Sequence, residues 1–248
     1  MLKDVYLGFK LSVSYFSILP IRFKESDDLT KSDILKYQLF FFPFVGAVLG
    51  YLTIFAFGVL ESLHWYGALI SAVLYMWLYG FLHTEAVIDV ADAIYASHSS
   101  KDTYEIIKEP TVGAMGVLWG VSLLIVKIAS IVYLFLTKKY LFLVVVAISS
   151  RVGLLVLFRV LEFKSKFLQE LKASFDKKIF WFATAFYALI LYNILGLQAV
   201  ILLLFMVLIS FFIAKYIITR LGFANGDVMG TTLEFAEVIG LVGVILCL

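Results

Sequence analysis

The sequence predicts an all-α fold: a polytopic membrane helical bundle with about seven transmembrane helices, six to eight by the count of its apolar runs. Three observations predict it. Of 248 residues, 63% are apolar and only 15% are charged, whereas a soluble domain carries about 25% charged residues. Mean hydropathy is +1.02. Apolar runs near the ~20 residues that cross a hydrocarbon core as helix recur along the chain, separated by polar, lysine-bearing segments. The 24 Phe and 14 Tyr suit lipid-facing and interfacial positions. With no internal repeat, low-complexity tract or soluble domain, residues 1–248 read as a single integral membrane domain with the lipid bilayer as its partner. Net charge of +2 implies no nucleic-acid partner. The single cysteine, Cys247, builds neither a disulfide nor a Cys-based zinc site within the chain.

The elements follow in order. Residues 5–20 are apolar but interrupted by Lys10 and closed by Pro20, as in an interfacial, re-entrant or poorly spanning helix. The N-terminus mixes Asp4 and Lys3 into its apolar run and does not read as a cleaved signal peptide. The first span is Leu39–Leu60, with Pro43 and Gly46 kinking or unwinding its start. The second is Leu63–Leu82, with aromatic residues at both ends. The third covers about 112–136 and the fourth about 140–160, with Arg151 near mid-depth. A lysine-rich link over 161–178 leads to spans at 179–195 and 197–218. A Gly-rich polar loop, 219–232, precedes a short seventh span at Leu233–Leu248.

Loop charge orients the bundle. Twelve Lys and Arg residues lie in the segments 21–38, 83–111, 161–178 and 219–232, against Lys138 and Lys139 on the opposite side. The positive-inside rule puts the first set in the cytoplasm. The two loops richest in polar chemistry, 83–111 and 219–232, then share that side, which charged soluble substrates can reach.

The densest chemistry lies in Phe81–Gly116. His83, Glu85, Asp89 and Asp92 fall within ten residues. In a helix Glu85, Asp89 and Asp92 follow i+4 and i+3 steps, so all three carboxylates share one face. Like charges on one stripe repel, and a divalent cation such as Mg²⁺ reverses the sign of that interaction. The plain alternative is a solvated acidic face. Against it, the rest of the segment is apolar, which suits a partly buried metal or proton site. In a continuous helix His83 points away from the stripe; it folds back over it if the helix starts near Thr84. Lys108 and Glu109 open a second polar element, where Lys108 either contacts phosphate or snorkels at the interface. Asn225, Gly226 and Asp227 form a flexible loop, and Asp227, Glu234 and Glu237 share a helical face at spacings of seven and three. They offer a second set of candidate ligands, as an in-line phosphoryl transfer uses. Arg151 and Lys127 sit inside spans, and either balances one of these acids; Arg151 equally suits a phosphate. No P-loop, nucleophile elbow or Cys/His metal set occurs.

Several of these strings occur in one family. His83-Thr84-Glu85-Ala86-Val87-Ile88-Asp89-Val90-Ala91-Asp92-Ala93 resembles the H-x-D-G-x-x-D-x-x-D-G signature of the cobalamin synthases, the adenosylcobinamide-GDP ribazoletransferases. Glu105 through Gly116 is similar to that family's E-I-M-[RK]-D-S-R-x-G-x-x-G. Gly222 through Glu237 is similar to its G-G-x-T-G-D-x-x-G-A-x-x-E-x-x-E. Phe42-Pro43-Phe44-Val45-Gly46 with Gly50, and Ser150-Arg151, match two further blocks. The blocks run in order across nearly the whole chain.

The resemblance implies a Mg²⁺-dependent phosphotransferase of the inner (cytoplasmic) membrane. It would join adenosylcobinamide-GDP to α-ribazole, or its 5′-phosphate, and release GMP. On this reading Glu85, Asp89, Asp92 and Asp227 bind Mg²⁺, Asp92 or His83 takes the hydroxyl proton, and Lys108 and Arg151 bind phosphate. Glu109, Asn225, Glu234 and Glu237 complete the site, and a homo-oligomer is compatible with it. The chain departs from the pattern at Glu85, which moves a carboxylate oxygen by roughly 1.5 Å relative to Asp. It departs also at Ala86, Ala93, Glu109 and Thr111, the last replacing a positive charge. Rival readings are a cation- or proton-coupled transporter and a CDP-alcohol phosphotransferase. The D-G-x-x-A-R start of the latter is absent, since Val87-Ile88 offers no Arg.

Overall fold

A computed structural model describes residues 2–96, 103–108 and 111–247; of 105, 106 and 108 it describes the backbone alone. The described residues form helices with no strand. Helix α1 (Leu2–Phe16) carries a buried stripe, Leu7, Gly8, Ser12 and Val13, and packs along α2. At 15 residues it is not among the helices long and apolar enough to cross a membrane.

Helix α2 (Ser32–Leu60) extends the predicted first span backwards through a polar first turn and carries Pro43 within it. At 1.5 Å per residue its 29 residues measure about 44 Å, longer than the hydrocarbon core. Gly46 and Gly50 let the backbone of α7 approach closely. A Cβ at Gly46 would collide with the Ala147 carbonyl, and one at Gly50 would lie 3.0 Å from Val144.

The predicted second span, Leu63–Leu82, is corrected. After a short 3-10 turn (Glu61–Leu63), α3 (Trp65–Leu78) stops early, and α4 (Leu82–Ala96) departs at 76° to it. The break lies at Gly80 and Phe81, both with positive φ (64° and 55°). Only glycine takes that conformation without strain. The two helices together form one broken span or a re-entrant pair, and the turn swings the acidic residues onto a helix of their own.

A short α5 (Thr103–Lys108) is tied to the end of α10 by the Thr103 hydroxyl, which donates to the Leu221 carbonyl. Helices α6 (Ala114–Leu136) and α7 (Leu141–Val160) match the predicted third and fourth spans. Helix α7 is the axis of the bundle: α2, α9, α10 and α11 pack around it, and Leu143 through Val152 are buried. The lysine-rich link contains an amphipathic surface helix, α8 (Lys166–Ser174). Asp176 caps α9 (Lys177–Leu195) by accepting from the Lys178 and Ile179 N–H groups.

Helix α10 (Leu197–Leu221) ends at Gly222, in the left-handed region at φ 83°. Helix α11 (Gly226–Cys247) begins four residues later. The predicted 219–232 loop is thus only 222–225, and the seventh span is 22 residues rather than short. Among the described residues six helices are long and apolar enough to cross a membrane, seven crossings if the broken α3–α4 pair counts as one.

Candidate active site

On α4 the apolar residues Ala86, Val87, Val90, Ala91 and Ala93 are buried, and the helix packs against α11 and α6. Glu85 is exposed on the other face, and Asp89 and Asp92 are half-buried. The helix crosses α11 closely: a Cβ at Gly230 would lie 2.8 Å from that of Ala86. The methyl that replaces a glycine at position 86 is therefore received by a glycine on the partner helix. The Thr231 hydroxyl pins the same crossing by donating to the Ala86 carbonyl at 2.8 Å.

This crossing brings the first turn of α11 to the acidic stripe. Asp227, Glu85 and Asp92 all lie close enough to Asp89 to repel its charge. Asn225 builds that turn. Its side-chain oxygen accepts from the Val228 N–H at 3.0 Å, and its amide donates to Asp227 at 2.7 Å. The carboxylates of Glu85 and Asp89 have no hydrogen-bond donor among the described residues. Asp89, Asp92, Tyr95, Thr111, Gly113 and Met115 line a cleft of about 340 Å³ beside them.

Asp92 has a task that its spacing did not reveal. One carboxylate oxygen accepts from the Gly113 N–H and the other from the Gly116 N–H, both at 2.6 Å. It satisfies the unpaired donors at the start of α6 and places a negative charge on the positive end of that helix. A Cβ at Gly116 would lie 2.5 Å from the Asp92 carboxylate and from the Ile88 carbonyl. The glycine is what allows α6 to close on α4.

His83 is buried, its ring stacked 5.6 Å from Tyr79. Its Nε2 has no partner among the described residues. Glu109 lies outside the described residues, as does the Lys108 side chain.

Among the described residues no three His, Cys, Asp or Glu side chains converge tightly enough to hold one metal ion. The donors nevertheless fit a hard divalent cation in kind. Glu85, Asp89 and Asp227 are carboxylates with few competing partners, and Mg²⁺ takes one or two carboxylates and completes its shell with water and substrate phosphate.

A family model described as cobalamin-5-phosphate synthase matches residues 8–245. The chain belongs to the cobalamin-5-phosphate synthase family. Among its relatives are proteins named adenosylcobinamide-GDP ribazoletransferase from Clostridium perfringens and Pseudomonas fluorescens. A C. perfringens ATCC 13124 protein is 33% identical over 97% of this chain and 98% of its own length. The P. fluorescens Pf0-1 protein is 30% identical over 95% and 98%. No solved structure matches.

The remaining candidate residues of this synthase-family chain lie deeper. Asp227 is in the first turn of α11, and Glu234 and Glu237 follow two and nearly three turns later, both fully buried. Lys127 of α6 binds Glu234 at 2.7 Å and Glu237 at 2.6 Å, and Arg151 of α7 binds Glu237 at 2.7 Å. Two cations and two anions make the set neutral. Tyr75 and Ser150 add hydrogen bonds to Glu237, and Thr84 donates to Glu234 at 3.4 Å. The structure thus separates Glu234, Glu237 and Arg151 from the cleft lining and joins them to Lys127. The spacing that put Asp227, Glu234 and Glu237 on one face carried no information about depth. One cleft residue, Tyr95, went unnoticed in the sequence; the only signal was its falling one turn beyond Asp92 on the same helix.

Proposed function

We propose that this protein is an adenosylcobinamide-GDP ribazoletransferase, which completes adenosylcobalamin, or its 5′-phosphate, from adenosylcobinamide-GDP and α-ribazole or its 5′-phosphate. The observation that carries the reading is the approach of Asp227 on α11 to the α4 acids, two of which, Asp89 and Asp92, line a cleft, in a chain whose relatives bear that name along their whole length. In the reaction the ribazole hydroxyl oxygen bonds to the phosphorus attached to cobinamide. The bond from that phosphorus to the GMP oxygen breaks, and GMP departs with the electron pair. The hydroxyl proton leaves to a carboxylate of the cleft. Asp89 is best placed to take it, since both oxygens of Asp92 hold the α6 backbone and His83 is buried.

Glu85 and Asp227, close enough for Glu85 to repel the Asp227 charge, would hold Mg²⁺, which would supply positive charge against the transferred phosphoryl and the leaving GMP and leave Asp89 to take the proton. Asp92 sets the cleft wall by fixing the start of α6. The basic loops orient the cleft toward the cytoplasm, at the inner membrane, where nucleotide substrates are found. A cation- or proton-coupled transporter is the weaker reading. It needs unpaired acids at depth, and the deep acids Glu234 and Glu237 are each ion-paired.

The test is condensation by the purified protein in lipid. Adenosylcobinamide-GDP and α-ribazole should yield adenosylcobalamin and GMP in equal amounts, and chelation of divalent cations should stop the reaction. A folded protein giving no GMP under any divalent cation contradicts the assignment.

A further inference from the structure

Beside the acidic cleft runs an apolar groove of about 370 Å³ between α4, α6, α10 and α11. This lies within the range of small-molecule sites. Its walls are aromatic: Tyr95, Trp119, Phe212, Tyr216 and Phe235. Thr231 also lines it, but its hydroxyl is engaged by the Ala86 carbonyl. Tyr95 lines both the groove and the cleft that holds Asp89 and Asp92. The Trp119 indole N–H donates to the Tyr95 hydroxyl at 3.2 Å, and the Trp119 ring lies 6.0 Å from that of Phe235. These rings are presented rather than buried: Tyr95, Trp119 and Phe212 are 47%, 41% and 60% exposed.

We propose that this groove is the acceptor subsite, which takes the flat aromatic base of α-ribazole. The inference rests on the transferase reading above. Two features select this occupant. A neutral two-ring base, apolar but for one ring-nitrogen acceptor, stacks on aromatic walls. With the base there, the attached ribose crosses the Tyr95 wall and brings its hydroxyl into the acidic cleft, where phosphoryl transfer needs it. The groove thereby separates the substrates: the apolar acceptor base enters between helices, and the charged donor enters from the cleft.

The test compares Trp119→Ala and Phe212→Ala with Trp181→Ala, an exposed aromatic on α9 far along the chain from the groove. Steady-state kinetics are run in nanodiscs, and α-ribazole binding is measured separately by calorimetry. The groove variants should raise both the KM and the Kd for α-ribazole about tenfold, the loss of one good aromatic contact. The KM for adenosylcobinamide-GDP should stay within about twofold, and Trp181→Ala should change neither. An active wild type whose groove variants keep the α-ribazole KM overturns the subsite and leaves the transferase reading intact. Co-purified phospholipid lost only from the groove variants, with the α-ribazole Kd unchanged, overturns it in favour of a lipid. A wild type that binds α-ribazole, weakened in the groove variants, but releases no GMP supports the subsite and contradicts the reaction. A wild type that neither binds nor reacts overturns both.

Discussion

Asp89 and Asp92 sit one turn apart on α4 and do different work. Asp92 accepts two backbone N–H bonds at the start of α6, and Asp89 faces three other acids. Hydrogen bonds to a charged group contribute about 1.5–3 kcal/mol each, so Asp92→Ala is expected to lower stability by at least about 2 kcal/mol. Thermal unfolding in detergent reads this as a clear drop in Tm. Asp227→Asn removes a charge that repels Asp89, and should leave Tm unchanged or raised while cutting kcat/KM about a hundredfold or more. An Asp227→Asn protein with full activity would remove α11 from the site. The stripe itself was legible in the sequence, because helical periodicity alone aligns Glu85, Asp89 and Asp92. The role of Asp92 was not, because its partners, Gly113 and Gly116, lie across a turn and on another element.

At the scale of elements, the buried charges lock α6, α7 and α11 together. Lys127 neutralises two glutamates at once, and Arg151 completes the balance. Removing one member leaves an uncompensated buried charge, at a cost of about 3–5 kcal/mol. Lys127→Met should therefore be strongly destabilising, and adding Glu234→Gln should recover part of the loss; simple additivity in the double-mutant cycle would contradict the network. Close helix approach is the second device. Gly46→Val places two methyls and a Cβ against the Ala147 carbonyl, and should separate α2 from α7 with loss of folded protein on size exclusion. Apolar run length made most spans legible, α6, α7 and α9 within two residues. It failed at α3–α4, where the hydropathy continues through a break made by the backbone at Gly80 and Phe81. It also failed at α11, where Gly222, Gly226 and Gly230 resemble a loop but serve as a helix end, a helix start and a helix crossing.

For the whole molecule, seven crossings, with the broken α3–α4 pair counted as one, would put the start of α2 and the end of α11 on opposite faces of the membrane. With the lysine-rich links inside, as proposed, Cys247, the exposed single thiol, would fall outside. A membrane-impermeant maleimide applied to intact cells should label it, and labelling only after permeabilisation would reverse the orientation. The same topology gathers the starts of α6 and α11 and the end of α10 on the face where the acidic residues lie, so the chemistry occupies one end of the bundle and the neutral ion network anchors its middle. The most direct test of that arrangement is GMP release by purified Asp89→Asn beside wild type, with adenosylcobinamide-GDP, α-ribazole and Mg²⁺ in lipid. The wild type is expected to release GMP with stoichiometric adenosylcobalamin, and the folded variant to be slower by about a hundredfold or more. Equal rates from the two proteins would contradict a transfer site built on the α4 and α11 carboxylates.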